Sequence, residues 1–176
     1  MKETDVTKTV QDLAQALRER GWLLCTAESC TGGLIAGACT DLAGSSDWFE
    51  RGFVSYSNAA KTELLGVPAD LIVQHGAVSE PVARAMAEGA LAHSHAQISV
   101  AVTGVAGPGG GSADKPVGTV WFGWSVQGRT TSECQHFEGD RAAVRAATVA
   151  YALNGLLARL TAAGASPAPQ PPNPTA

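Results

Sequence analysis

The chain of 176 residues is 45% hydrophobic and 16% charged, which suits a single domain with a substantial core. Its formal net charge of -4 and the lack of any basic run exclude a standing attraction to nucleic acid, but leave small anionic ligands open, because one or two arginines suffice to hold a phosphate. The N-terminus lacks the apolar stretch of a secretory signal, and no uncharged apolar run approaches the ~18 residues of a membrane span, so a cytoplasmic protein with no membrane partner is expected.

Val6, Val10, Leu13 and Leu17 recur at helical spacing and predict an amphipathic helix over 5–20 whose apolar face packs on a sheet. WLLCTA at 22–27 is apolar on both faces of an extended chain and predicts a buried strand that ends abruptly at Glu28. After ESCTGG, the small and apolar residues of LIAGACTDLAG predict a closely packed helix stopped by Gly44. A second strand is expected over 52–56, then a short helix with Asn58 as candidate cap, closed by Gly66 and containing Lys61.

Ser79, Glu80 and Pro81 read as a helix start in which the Ser79 hydroxyl caps free amides, and the helix runs on through ARAMAEGALAHSH. QISVAVT at 97–103 predicts a β-branched strand, and the loop GVAGPGGGSADKPVG that follows is too rich in Gly and Pro for regular structure. GTVWFGWSV and TTSECQHFE predict a hairpin around the turn QGR, and a long helix is expected over about 140–161. The proline-rich residues 164–176 have no apolar periodicity and are expected to form a disordered tail after a single domain spanning 1–163. Alternating helices and strands with one late hairpin predict a three-layer α/β/α sandwich with a mixed, mostly parallel sheet.

Two segments suit chemistry. In AESCTGG a buried strand gives way to a helix, with Gly32 and Gly33 admitting close approach of a ligand. Such a turn can present Ser29 as a nucleophile or simply use it as a helix cap. None of the four histidines has a context that suggests a base. His93 and His95, two residues apart on a helix, point to different faces. Of the lysines, Lys61 is best placed to act as the base of a serine, although a helical lysine is more often a solvated face residue, and Tyr56 reads equally as a strand aromatic.

The second segment, TGVAGPGGGSADKPVG, lacks the GK[ST] ending of a P-loop and the spacing of a dinucleotide fingerprint. Its glycines suit either an amide nest or a mobile flap. Arg141 and Arg145 lie one turn apart on the last helix, where they suit a phosphate clamp or a salt-bridged face. The cysteines Cys25, Cys30, Cys39 and Cys134 have no CxxC spacing, so buried inert thiols are expected, with no metal and no cofactor.

In order along the chain, AESCTGG, GSSDWFERGFVSYSNAAKTELLGV, HGAVSEPVARAMAEGA, TGVAGPGGGSADKPVGTVWFG and FEGDRAAVR resemble the CinA C-terminal domain family over about residues 8–160. Many members carry a further N-terminal domain, and this chain resembles the stand-alone form. The resemblance implies a nicotinamide-nucleotide amidase with nicotinamide mononucleotide as substrate, acting in pyridine nucleotide salvage as a homodimer.

It further implies Ser29 as nucleophile, Lys61 as proton acceptor, and Tyr56, which falls in the family's YSNxxK segment, as the group that relays or positions the proton. Main-chain amides around Cys30, Thr31, Gly32 and Gly33, or around Thr103 and Gly104, would hold the oxyanion. Gly107, Gly109 and Gly110 with Arg141 and Arg145 would hold the phosphate. The alternative is a regulatory module of the same fold that binds a pyridine nucleotide without turning it over.

Overall fold

The computed structural model describes residues 3–164, in one α/β domain, so that residues 165–176 of the expected tail lie outside the described part. In chain order the elements are α1 (Glu3–Arg20), β1 (Leu24–Glu28), α2 (Leu34–Thr40), a 3-10 turn (Ser45–Asp47), β2 (Phe49–Val54), α3 (Asn58–Leu65), α4 (Ala69–His75), α5 (Glu80–Ala92), β3 (Ile98–Gly104), β4 (Thr119–Val126), β5 (Arg129–His136) and α6 (Arg141–Ala162). The sheet order is β2-β1-β3-β4-β5. Four strands point the same way and β4 alone runs against them. The expected mixed sheet between two helical layers is therefore present.

Alternation along the strands sorts side chains by size as well as by face. Leu24, Ile98, Val100, Val102, Val120, Phe122 and Trp124 point to the layer of α1, α2 and α6, where Leu13, Leu17, Leu153 and Leu156 complete a large apolar core. The opposite face carries Cys25, Ala27, Ser99, Ala101 and Gly123, and these short residues let α5 settle close to the strands. α5 also lies close to α3, since a Cβ on Gly89 would stand 1.9 Å from the Leu65 carbonyl oxygen.

The chain moves from β1 outward to β2 on one side and then to β3 on the other side of β1. That reversal makes the C-terminal ends of β1 and β3 a topological switch point, the position at which open α/β sheets place their ligands. Ser29 follows β1 directly, and Gly104 ends β3.

Several local expectations need correction. β2 begins at Phe49 and ends at Val54 instead of covering 52–56; it is an edge strand whose Glu50 and Arg51 hide its character in the sequence. α2 ends at Thr40 with Asp41 as its cap, while Gly44 precedes the 3-10 turn. Ser57, not Asn58, caps α3, because its side chain is the one placed to accept from the Ala60 amide. Ser79 stands at the N-cap position of α5, but its hydroxyl donates backward to the Gly76 carbonyl instead of accepting from the helix. α5 stops at Ala92 before the exposed His93 and His95. α4 was not anticipated, since its only buried residue is Ile72 and Pro and Gly bound it closely. Cys25, Cys30 and Cys39 are buried, but Cys134 is exposed on β5.

Gly89→Ala forces a methyl group into the Leu65 backbone, a strain that outweighs the gain in helix propensity. It is expected to lower stability by roughly 1–3 kcal/mol, read as a lower urea midpoint with an unchanged slope.

Candidate active site

β1 is buried along its whole length and delivers Glu28 toward α2. A carboxylate with 1% exposure needs donors, and the turn that follows supplies them. One oxygen accepts from the Thr31 hydroxyl at 2.7 Å and from the Gly33 and Ile35 amides at 3.0 Å each. The other accepts from the Ala36 amide at 2.8 Å and the Thr26 hydroxyl at 3.3 Å. The turn curls back on its own preceding strand by using positive φ at Gly32 (60°) and Gly33 (101°), a conformation that favours glycine.

This turn holds Ser29 at its start. The Ser29 amide donates to the Val102 carbonyl, and its own carbonyl accepts from the Gly32 amide. Arg145 braces the other side, donating through Nε to the Cys30 carbonyl at 3.1 Å and through Nη2 to the Thr31 carbonyl at 3.0 Å. The Cys30 thiol is pushed up to about 11 by burial, so it is no competing nucleophile near neutral pH.

Lys61 reaches Ser29 from α3 on the far side of the sheet edge. Its side chain is 1% exposed, and Nζ has three neighbours: Ser29 Oγ at 3.0 Å, the Ser55 carbonyl at 3.0 Å and the Tyr56 carbonyl at 3.1 Å. Burial is the main influence on this amine and lowers its pKa from the ordinary lysine range, with Cys30 opposing it more weakly; among the described residues no carboxylate pairs with Nζ. Each of the three partners is an oxygen that can accept a hydrogen from Nζ. Once Nζ loses its extra proton, two N–H bonds serve the two carbonyls and the lone pair can face the Ser29 hydroxyl.

The structure thus brings Ser29 and Lys61 into direct contact. Tyr56 joins them through its main chain, while its ring is 60% exposed and its phenol oxygen accepts from Arg141 Nη2 at 3.3 Å. Arg141 also donates to the Gly107 carbonyl at 2.9 Å, which ties the glycine loop to the start of α6. Gly109 and Gly110 lie exposed farther out on that loop. Thr103 donates its hydroxyl to the Ala77 carbonyl, and Gly104 packs against Val120 and the Thr119 carbonyl.

Among the described residues, no histidine hydrogen-bonds to Ser29 or Lys61. The two histidine rings that make hydrogen bonds, His93 and His136, meet backbone carbonyls. The described residues hold no cluster of three potential metal ligands and no helix long and apolar enough to cross a membrane.

Glu28 is the site residue that the sequence reading overlooked. Its signal was present: an ionisable side chain ending an apolar strand requires a set of donors, and glycines next to it supply main-chain amides.

The CinA C-terminal domain matches residues 6–160 of the chain. The nicotinamide-nucleotide amidohydrolase PncC of Escherichia coli strain K12 is 52% identical over 159 residues, which cover 89% of this chain and 95% of that protein. The protein of the same name from Pseudomonas putida is 55% identical, with 86% and 95% covered. The crystal structure of the competence/damage inducible protein CihA from Agrobacterium tumefaciens superposes with a TM-score of 0.86 at 45% identity, covering 89% of this chain and 96% of that one. This chain therefore belongs to the CinA C-terminal domain family.

Proposed function

We propose that the chain is a nicotinamide-nucleotide amidase that hydrolyses nicotinamide mononucleotide to nicotinic acid mononucleotide and ammonia, with Ser29 as nucleophile and Lys61 as its base. The observation that carries the mechanism is the 3.0 Å contact between Lys61 Nζ and Ser29 Oγ in a site with no carboxylate or histidine attached to the amine. Support for the substrate comes from relatives that bear this activity in their names at 52 and 55% identity.

In the first step Ser29 Oγ bonds to the carboxamide carbon while its proton passes to Lys61 Nζ, and the carbonyl π pair moves onto oxygen. The adduct collapses by expelling the amide nitrogen, which takes the proton from Lys61 and leaves as ammonia. Water then adds to the acyl ester, Lys61 accepts its proton, and Ser29 Oγ recovers that proton as the acid departs. Tyr56 positions the base through its carbonyl and orients Arg141 through its phenol. Arg141, with the loop at Gly107, Gly109 and Gly110, meets the phosphate. Arg145 contributes to that charge while bracing the nucleophile turn. Cytoplasmic residence and a homodimer complete the reading; light scattering of the purified protein is expected to give twice the chain mass.

Ammonia release from nicotinamide mononucleotide is expected in wild type and absent in Ser29→Ala. Lys61→Arg keeps a cation but cannot lose its proton, and is expected to be nearly inactive. Because only neutral Lys61 accepts the serine proton, kcat/KM rises with pH through a lysine pKa below the ordinary range. Retained activity in Ser29→Ala excludes the nucleophile. Binding of the nucleotide by wild type without turnover would make the chain a regulatory module. Arg141→Ala is expected to raise KM for nicotinamide mononucleotide by about 10- to 100-fold, the worth of a charge-assisted contact, and to leave KM for nicotinamide riboside, which lacks the phosphate, almost unchanged.

A further inference from the structure

The N-terminal amides of α2 are not available to a substrate. Those of Gly33, Ile35 and Ala36 end on the Glu28 carboxylate, and those of Gly32 and Leu34 end on the Ser29 and Thr31 carbonyls. The Ser29 amide is spent on Val102. Two amides in the turn remain, those of Cys30 and Thr31, directly after the nucleophile. Apart from a contact of the Cys30 amide with its own sulfur, neither has an acceptor among the described residues. Both residues are buried, and Arg145 fixes both of their carbonyls. A buried amide without an acceptor is costly unless an arriving group supplies one.

We infer that Glu28 is the positioning residue of this site: it locks the turn so that, of the turn's own amides, those of Cys30 and Thr31 are left to donate to the oxyanion formed on the substrate carbonyl. The inference rests on the Ser29 and Lys61 mechanism above. It narrows the donors of this turn to two of those open from the sequence. It also means that the start of α2 cannot bind the phosphate, since a carboxylate of the same sign already fills it.

The test compares wild type, Glu28→Gln and Thr31→Val. Each is assayed for kcat and KM on nicotinamide mononucleotide, and for affinity toward two probes: the product, nicotinic acid mononucleotide, and the aldehyde analogue of the substrate, with a formyl group in place of the carboxamide. The aldehyde adds to Ser29 Oγ and places an oxyanion in the hole, which the product does not. Gln keeps the size of Glu28 but puts an amide NH2 against a donor of the turn.

In Glu28→Gln, kcat and aldehyde affinity are expected to fall together by about 100-fold, the scale of one misplaced oxyanion donor, with KM and product affinity within about threefold. Thr31→Val, which removes a single hydroxyl from the carboxylate, is expected to show the same split at about 5- to 10-fold, and decides the matter if Glu28→Gln does not fold. Unchanged kcat in the variants overturns the inference, as does an equal loss of product and aldehyde affinity, which would mark a turn that had merely collapsed. Failure of wild type to release ammonia overturns the underlying mechanism as well, and is seen before any variant is compared.

Discussion

The buried amine of Lys61 is the constraint around which the site is arranged. A lysine with 1% exposure and no carboxylate partner is disfavoured as a cation, and the protein meets it with two carbonyls and one hydroxyl instead of a counter-charge. A carboxylate against Nζ would have stabilised the ammonium and removed its use as a base. The nearest acidic residue in the turn, Glu28, spends its oxygens on hydroxyls and main-chain amides of the opposite layer, so its charge is absorbed there. The two ionisable groups flank Ser29 from different faces of the sheet, and each is satisfied without the other.

This separation follows from strand alternation. Glu28 and Ser29 are consecutive, so one points to the α2 layer while the next stands where α3 can reach it across the strand edge. The same alternation gives the two sheet faces their unequal character, with bulky residues toward α6 and short ones toward α5. The close seat of α5 fixes β3 and β4, and through the parallel pairing of β3 with β1 it fixes the strand from which the nucleophile turn springs.

Much of this was legible in the sequence. The central strands, the amphipathic α1, the hairpin and α6 carry their periodicities openly, and the three-layer order followed from their alternation. The pairing of Ser29 with Lys61 was reached by elimination among bases and by family resemblance; residue spacing alone left Ser29 as an ordinary helix cap. What stayed hidden was set in part by partners distant in sequence and in part by local bonds that residue type alone does not reveal. β2 owes its extent to pairing with β1 and not to its own polar residues. The hydroxyl of Ser79 donates to the Gly76 carbonyl just before it, a local alternative to capping that any serine offers. Glu28 is masked in the sequence by the serine beside it, although its burial is the more unusual fact. Arg145 reads in sequence as half of a phosphate clamp or part of a salt-bridged face, yet it spends two donors on carbonyls more than a hundred residues upstream.

Arg141 lies at the opposite extreme of solvation from Lys61. It is exposed and bridges the Gly107 carbonyl and a largely exposed tyrosine, while Ser29 and Lys61 are enclosed. Dissolved ions reach the first and not the second, since mobile charge screens groups in water far more than groups in a protein interior. With the phosphate at Arg141 and the chemistry at Ser29 as proposed, ionic strength acts on the encounter between protein and anionic ligand and leaves the bond-making step untouched. The molecule is divided into a salt-sensitive porch and a salt-insensitive chamber, with Tyr56 as the threshold between them.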